Sequence, residues 1–265
     1  MRRWFRRLDE ILRGEATQLS TLKSGTFDVP VVGMTTVLLI LGVFTGLCVG
    51  SWALVRSAGR AWEQFAASGV KLPLLFLLTL AITFPSLYVF NALMGSRLKI
   101  GSALKLLLAT LAVMLAVHAS LGPIIFFFGT STTSYPFMVL LNVIVGAIAG
   151  ILGLTFLLRT LHRLIMVQQM EAFVPLPAAP PRKTGAKAEA DPEPDTTAAP
   201  DESLGLKSAR SVFRVWVIVF ALVGAQMSWV LRPLIGNPSA PFTIFRAREG
   251  NFFLAVAQAL GNLFR

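Results

Sequence analysis

Long apolar stretches separated by short polar segments dominate the chain. Four of them cover about residues 30–55, 72–95, 102–128 and 136–158, and a fifth covers about 212–232. An α-helix needs about 20 apolar residues to cross a hydrocarbon core of about 30 Å, and each stretch meets that length. The pattern therefore predicts an all-α, polytopic helical membrane protein with about five transmembrane helices. Gly122-Pro123 is expected to interrupt the third of them.

Composition supports this fold class. Hydrophobic residues make up 55% of the chain and charged residues only 14%, whereas soluble domains carry about 25% charged residues. The formal net charge is +11, which in a soluble domain would suggest nucleic acid as a partner. Here the basic residues flank the apolar stretches, so the expected partners are anionic lipid headgroups, with no nucleic acid.

The distribution of basic residues predicts the orientation. If the N-terminus is inside, the cytoplasmic segments 1–29, 96–105 and 159–214 hold 17 Lys and Arg residues, and the outer segments hold 7. The positive-inside rule then predicts an N-in, C-out protein of the bacterial inner membrane. Because the first apolar run begins only at Val31, no cleavable signal peptide is expected.

The N-terminal segment, residues 1–29, is basic and amphipathic. Within 2–13 the apolar side chains recur at helical spacing, and the opposite face carries Arg2, Arg3, Arg6 and Arg7. This pattern favours a short helix on the membrane surface, with the four arginines on anionic headgroups. The alternative is a solvated helix whose apolar face packs on another part of the protein.

Three further segments follow. Residues 30–171 are expected to form a four-span helical bundle that opens its second span at Lys71-Leu72-Pro73, after an interfacial segment 57–71. Residues 172–208 are rich in proline, alanine and mixed charge, which predicts a disordered cytoplasmic linker. Residues 209–265 are expected to hold the fifth span, an extracytoplasmic cap and an amphipathic tail, 252–264, that is too short to span.

Small residues recur every four positions in two spans, which places them on one helix face. Such faces let two helix backbones approach closely, and packing within one chain is expected rather than a dimer interface. The second face could meet the first. The two faces consist of Gly42, Gly46 and Gly50, and of Asn142, Gly146 and Gly150.

Several polar residues lie inside the predicted spans, where an unpartnered polar group is costly. Pro85 is expected to kink the second span near Asn91. His118, Asn142 and Gln226 lie in other spans, and His118 is expected to be neutral and hydrogen-bonded. These side chains either provide structural hydrogen bonds or line a substrate path.

The sequence offers no support for catalysis. All thirteen acidic residues lie outside the predicted spans, which argues against ion-coupled transport. Two histidines and one cysteine are too few for a histidine- or thiolate-rich metal site. No nucleotide-binding loop or nucleophile elbow is present. We therefore expect a protein that is not an enzyme, without catalytic residues, metal or cofactor.

Two stretches carry a resemblance. VGAQMSWVLRPLIGNPSAPFTIFRAREGNFF and KLPLLFLLTLAITFPSLYVFNALMGS resemble an uncharacterised family of bacterial multi-span membrane proteins, over nearly all of the chain except 172–208. Some members carry an automatic actin-binding label, but nothing in this chain resembles a cytosolic actin-binding helix. The five-span plan also looks like that of the Yip-type trafficking proteins, by architecture only. The family motif falls on Lys71, Pro73, Pro85, Asn91, Gln226, Trp229, Arg232, Pro233, Gly236, Arg246, Gly250 and Asn251.

The cap after the fifth span is the most specific stretch and therefore the candidate functional surface. Within it Arg232 either contacts lipid headgroups at the outer interface or pairs with Glu249 and holds the loop 233–251 against the fifth span. The favoured function is a scaffold or a subunit of an inner-membrane assembly, with a protein partner or a homo-oligomer. The alternative is a permease or channel-like component whose cavity is lined by Pro85, Asn91, His118, Asn142 and Gln226.

Overall fold

A computed structural model describes residues 1–15, 29–56, 61–93, 100–172, 202–236, 242–246 and 250–263. All regular elements in these ranges are helices, which confirms the all-α fold class. The helices are α1 (Arg2–Leu12), α2 (Val31–Arg56), α3 (Ala61–Leu93), α4 (Ile100–Ser120), α5 (Gly122–Ser131), α6 (Tyr135–Ala172), α7 (Glu202–Val230) and α8 (Phe252–Leu263).

Within the described residues, four helices are long and apolar enough to cross a membrane. They are Val31–Arg56, Ala61–Leu87, Gly101–Ser120 and Tyr135–Leu164, so the chain is a polytopic membrane protein. The predicted fifth span lies in α7, whose described apolar part, Val215–Val230, belongs to the shorter apolar helices. By itself this part falls short of the about 20 residues that a span needs.

The structure describes the predicted break in the third span and the end of the predicted linker. The third span is interrupted where expected, because α4 ends at Ser120 and α5 begins at Gly122 with Pro123 in its first turn, a position that proline favours. The helix α7 begins at Glu202, so the end of the predicted disordered linker is helical. Residues 173–201 lie outside the described residues.

The second span begins earlier than predicted. Helix α3 begins at Ala61, so most of the segment expected to be interfacial belongs to it, and Pro73 lies inside the helix instead of in its first turn. The acidic Glu63 in the first turn favours a helix start there, since it complements the positive end of the helix dipole. Lys71 is consequently a mid-helix residue, which decides what it contacts.

The α2 glycine face packs against α3. Gly42 lies against Pro73, and a side chain at Gly46 would overlap the carbonyl oxygen of Ser68. A Cβ at Gly50 would lie 2.9 Å from the Cβ of Ser68. These close approaches agree with the use of small residues to bring helix backbones together.

The second small-residue face packs elsewhere. Gly146 lies opposite His118, and Gly150 lies opposite Met114, both on α4. The expectation that this face meets the Gly42-Gly46-Gly50 face is therefore wrong. The physical reason is chain connectivity: α2 is followed directly by α3, and sequential elements joined by short connections usually pack together.

Helix α1 buries part of its apolar face against the protein. Leu8 and Ile11 are only 5% and 2% exposed and belong to the main core, and Trp4 lies against Gly33 of α2. The packing alternative therefore holds for Leu8 and Ile11, whereas Phe5 and Leu12 are 39% and 48% exposed, so the membrane-surface interpretation stays a prediction. Arg13 bonds Asp9 at 3.0 Å, which raises the pKa of Arg13. The arginines at 2, 3, 6 and 7 are exposed, and their binding to headgroups stays a prediction.

Candidate functional site

Three polar residues form a stripe on the first half of α3. Gln64, Ser68 and Lys71 follow the i, i+4, i+7 spacing of one helix face. They are 4%, 0% and 4% exposed. Buried polar groups need hydrogen-bond partners, and helix neighbours of α3 are largely apolar. We call these three residues the α3 stripe.

The partners are backbone carbonyls of the segment that follows α7. We call its described residues, 231–236 and 242–246, the α7 loop. Gln64 Nε2 donates to the carbonyl oxygens of Pro233 at 3.1 Å and Leu234 at 3.4 Å. Ser68 Oγ also donates to the Leu234 carbonyl oxygen. The stripe therefore bonds residues more than 160 positions away in sequence.

Lys71 joins the two parts of the α7 loop. Its Nζ donates to the Pro233 carbonyl oxygen at 3.1 Å and also to the carbonyl oxygen of Ile244. An ammonium group has three donors and no acceptor, so it suits a place where two irregular chain segments offer only carbonyls. The same Nζ lies 5.4 Å from the centre of the Phe245 ring, a cation–π distance.

The α7 loop lies alongside the bundle and not beyond its end. Pro73 lies against Gly42, which is near the middle of the 26-residue helix α2. Lys71 is two residues away, so it is level with the middle of α2. Gly236 lies near Ala53, close to the C-terminal end of α2. The α7 loop therefore packs beside the first half of α3, between these two levels.

This position explains the polar stripe. Irregular backbone at membrane depth is tolerated only where protein or a water-filled cavity satisfies its polar groups. The loop carbonyls have no helical partners, and the α3 stripe provides donors for those of Pro233, Leu234 and Ile244. A lysine inside a helix that is long and apolar enough to span is thereby bonded to the backbone of its own chain.

Backbone geometry also fits the α7 loop to α3. Gly236 has a φ of +85°, and a Cβ there would lie 2.7 Å from Cγ of Gln64. Only glycine combines this left-handed conformation with such a close approach. The Arg232–Pro233 peptide bond is cis. The Arg246 N–H donates to the Arg232 carbonyl oxygen at 3.4 Å, which brings the two described parts of the loop together.

Trp229 connects the end of α7 with the start of α8. The guanidinium carbon of Arg232 lies 3.6 Å from the centre of the Trp229 ring, and arginine often stacks on aromatic faces in this way. Its Nε1 donates to the Gly250 carbonyl oxygen at 3.2 Å. Asn251 then caps α8, since its Oδ1 accepts the Leu254 N–H at 2.9 Å.

Many residues of the sequence motif therefore occupy one neighbourhood, on α3, the end of α7, the α7 loop and the start of α8. Two candidates cannot be placed in this way. The side chain of Asn91 and the whole of Glu249 lie outside the described residues, so the predicted pairing of Arg232 with Glu249 is untested. The residues in the neighbourhood are Lys71, Trp229, Arg232, Pro233, Gly236, Arg246, Gly250 and Asn251.

The polar residues proposed to line one cavity lie on different helix pairs. His118 is 6% exposed on α4 and faces Gly146 of α6. Neither of its ring nitrogens has a hydrogen-bond partner in the described part of the chain, so the expected hydrogen bond is not there. Gln226 is half-buried on α7, a helix whose Gly224 lies against Thr79 of α3. Pro85 is exposed.

Sequence reasoning missed Gln64 and Ser68. Their spacing with Lys71 is a signal, because three polar residues at i, i+4 and i+7 mark one face of a helix. The signal is lost when 57–71 is interpreted as interfacial and Lys71 as the first residue of a span. When the helix begins at Ala61, as α3 does, Gln64, Ser68 and Lys71 fall on one helix face.

Comparison of the chain with protein-family models, with curated proteins and with solved structures gives no match. The resemblance described from the sequence therefore stays a prediction. Function has to be inferred from the α3 stripe and the α7 loop themselves.

Proposed function

We propose that this protein is a non-enzymatic subunit or scaffold of an assembly in the bacterial inner membrane. The observation that carries the proposal is the α7 loop, whose backbone is bonded into the bundle while two of its large apolar side chains face outwards. Ile244 is 60% exposed and Phe245 is 59% exposed, although the Ile244 carbonyl oxygen accepts from Lys71. A loop held in this way presents an apolar surface of defined position.

The polar side chains within the bundle support a structural role. Thr45, Thr79, Thr83 and Thr110 each donate to a backbone carbonyl four residues earlier in their own helix, a common way to satisfy threonine in an apolar helix. Trp216 Nε1 donates to the hydroxyl of Ser86 at 3.1 Å and joins α7 to α3. Hydrogen-bonding groups are thus used to build and connect helices.

The topology that we propose has five spans and an N-in, C-out orientation. Helix α7 has 29 residues in all, enough to reach across the bundle together with the α7 loop, and the basic residues are concentrated in the segments assigned to the cytoplasm. A C-terminal fusion to a reporter that is active only outside the cytoplasm tests this. Activity of a cytoplasm-specific reporter at the same position would refute the orientation.

The assembly proposal is tested by purifying the full chain in mild detergent and determining its mass by native mass spectrometry. We expect a stoichiometric complex or a defined oligomer that is lost in the double variant Ile244→Ala, Phe245→Ala. The matched control is Ile148→Ala, Ile151→Ala on the exposed face of α6, where the side chains are 43% and 65% exposed. A monomeric wild type, or equal loss in both double variants, would contradict the proposal.

One observation favours the alternative, a permease or channel-like component. Both ring nitrogens of His118 and the Oδ1 of Asn142 are buried without a hydrogen-bond partner in the described residues, and a polar substrate path between α4 and α6 would supply partners. Reconstitution into liposomes tests this. Alanine at His118 and Asn142, or at Asn91 and Gln226, should abolish flux. A loss of thermal stability without any flux in the wild type favours packing.

A further inference from the structure

Helices α4 and α6 pack less closely towards one end of their shared face. A Cβ at Gly153 of α6 would overlap Cγ of Met114 on α4, whereas a Cβ at Gly150 would make an ordinary contact of 3.8 Å with Cε of the same side chain. One turn further on, a Cβ at Gly146 would have only Cε1 of His118 within reach, at 4.0 Å. The two helices therefore leave room between Gly146 and His118.

His118 borders this space without a partner. It is 6% exposed, and neither Nδ1 nor Nε2 has a hydrogen-bond partner among the described residues. A neutral imidazole has one N–H donor and one nitrogen acceptor. Because buried polar groups in proteins nearly always have partners, the ring requires a ligand that can both donate to it and accept from it.

Asn142 provides a second acceptor on the same face of α6. It precedes Gly146 by one helical turn, a rise of about 6 Å. Its Nδ2 donates to the Met138 carbonyl oxygen at 2.8 Å, so one half of the amide is satisfied within the helix. Its Oδ1 is buried and has no partner in the described part of the chain.

The break between α4 and α5 adjoins His118. The residue four positions after Ala119 is Pro123, which has no N–H to donate to the Ala119 carbonyl oxygen. Gly122 lies against Phe44, at the middle of the 26-residue helix α2. The break is therefore at mid-depth of the bundle, where discontinuous helices of membrane proteins often form ligand sites.

Charge and hydrogen-bonding capacity select the ligand class. Neither residues 100–164 nor α2 contain an Asp or Glu, and a charge at mid-depth is costly without an opposite charge, so a neutral ligand fits best. It has to donate to Oδ1 of Asn142 and to one ring nitrogen of His118, and to accept from the other. A primary amide has two N–H donors and a carbonyl acceptor, whereas an alcohol has only one donor.

We infer that His118 and Asn142 bind a small neutral molecule with a primary amide group in the space between α4 and α6. The inference names a ligand class for the path described under the alternative function. Binding there does not require transport, and it is independent of the assembly surface at the α7 loop.

The test is titration of the full chain, labelled with ¹⁵N-histidine in detergent, with acetamide or urea at concentrations that leave its unfolding temperature unchanged. The chain has two histidines, and the variant His162→Gln assigns their ring signals. We expect saturable changes in the ring ¹⁵N chemical shifts of His118 alone, since hydrogen bonds to the ring alter these shifts. Acetone resembles acetamide in size but has no N–H donor, so it should cause no saturable change.

Two variants locate the site. Asn142→Leu keeps the shape of the side chain but removes its acceptor, so the affinity for acetamide should fall about tenfold, the effect of losing one buried hydrogen bond. Asn262→Leu, at an exposed position on α8, is the matched control and should not change the affinity. Gly146→Leu fills the space beside His118 and should abolish the shift changes.

Three outcomes would overturn the inference. Changes that do not saturate and that acetone causes equally would indicate a general solvent effect. Unchanged His118 signals with both acetamide and urea would assign the ring nitrogens to water. Equal affinities of the wild type and a folded Asn142→Leu variant would exclude Asn142, and if that variant does not fold, Gly146→Leu decides. Saturable binding without flux in liposomes would keep the site and refute only the permease.

Discussion

Replacing Lys71 with methionine tests how the α7 loop is held. Methionine has a similar length but cannot donate, so the bonds to the carbonyl oxygens of Pro233 and Ile244 are lost. Pro233 keeps the bond from Gln64 at 3.1 Å, so the main loss is at Ile244. A hydrogen bond to a charged group contributes about 1.5–3 kcal/mol, and the relieved desolvation of the ammonium group offsets part of it.

The effect should be local, because Lys71 bonds the loop and not another span. Hydrogen exchange of the backbone amides in 242–246 should become faster by up to about 150-fold, the value for an unreduced loss of about 3 kcal/mol, since each 1.4 kcal/mol is about tenfold. Amides in the middle of α4 should keep their rates. The matched control is Arg159→Met, which removes an exposed charge on α6. If exchange in 242–246 stays within about threefold of the wild-type rate, Lys71 does not hold the α7 loop.

Two glycine comparisons provide further predictions. Gly236→Ala should destabilise the α7 loop by about 1–3 kcal/mol, because a Cβ is strained at this positive φ and would meet Gln64 of the α3 stripe. The control is Gly101→Ala, since a Cβ at Gly101 would have nothing within 4 Å. It should leave hydrogen exchange in the loop unchanged or slower. Gly46→Ala should lower the unfolding temperature in detergent, because its Cβ would overlap the Ser68 carbonyl oxygen and overpacking costs about 1–3 kcal/mol. Gly150→Ala, whose Cβ would make an ordinary 3.8 Å contact, should leave the unfolding temperature unchanged. Equal shifts of the unfolding temperature in both variants would contradict the close packing of Gly46 against α3.

Local patterns predicted the elements of this fold well. The apolar length of α2 and its glycine spacing are properties of a single helix, and the structure shows both the helix and its close packing. The break at Gly122-Pro123 is likewise a local property of proline, and α4 ends just before it. These patterns do not predict which helix packs against each face, because the spacing of residues describes one helix and not its neighbour.

The candidate site shows the same limit. Lys71 before Pro73 is typical of a span that starts at the membrane interface, where lysine anchors are common. Its actual partners are carbonyls 162 and 173 residues further along the chain, and no local pattern encodes such a pairing. The sequence of α1 leaves the partner of its apolar face open for a related reason, since an amphipathic helix has the same sequence whether lipid or protein covers it.

Oxidative disulfide formation between Ser68→Cys and Leu234→Cys tests the central claim that the α3 stripe holds the α7 loop. The experiment uses a Cys48→Ala background, which removes the one native cysteine, and a protease site inserted at Pro192-Glu193. On a denaturing, non-reducing gel, cleavage then separates α1–α6 from α7 and α8 unless a disulfide joins them.

Ser68 donates to the Leu234 carbonyl oxygen, so the two residues are in contact, which is the first requirement for a disulfide between them. We therefore expect the two fragments to remain joined after cleavage until a reductant is added. The control pair, Ser68→Cys with Gly261→Cys, uses a position with no neighbour within 4 Å and should separate. Separation of the Ser68–Leu234 pair to the same extent as the control would contradict the account.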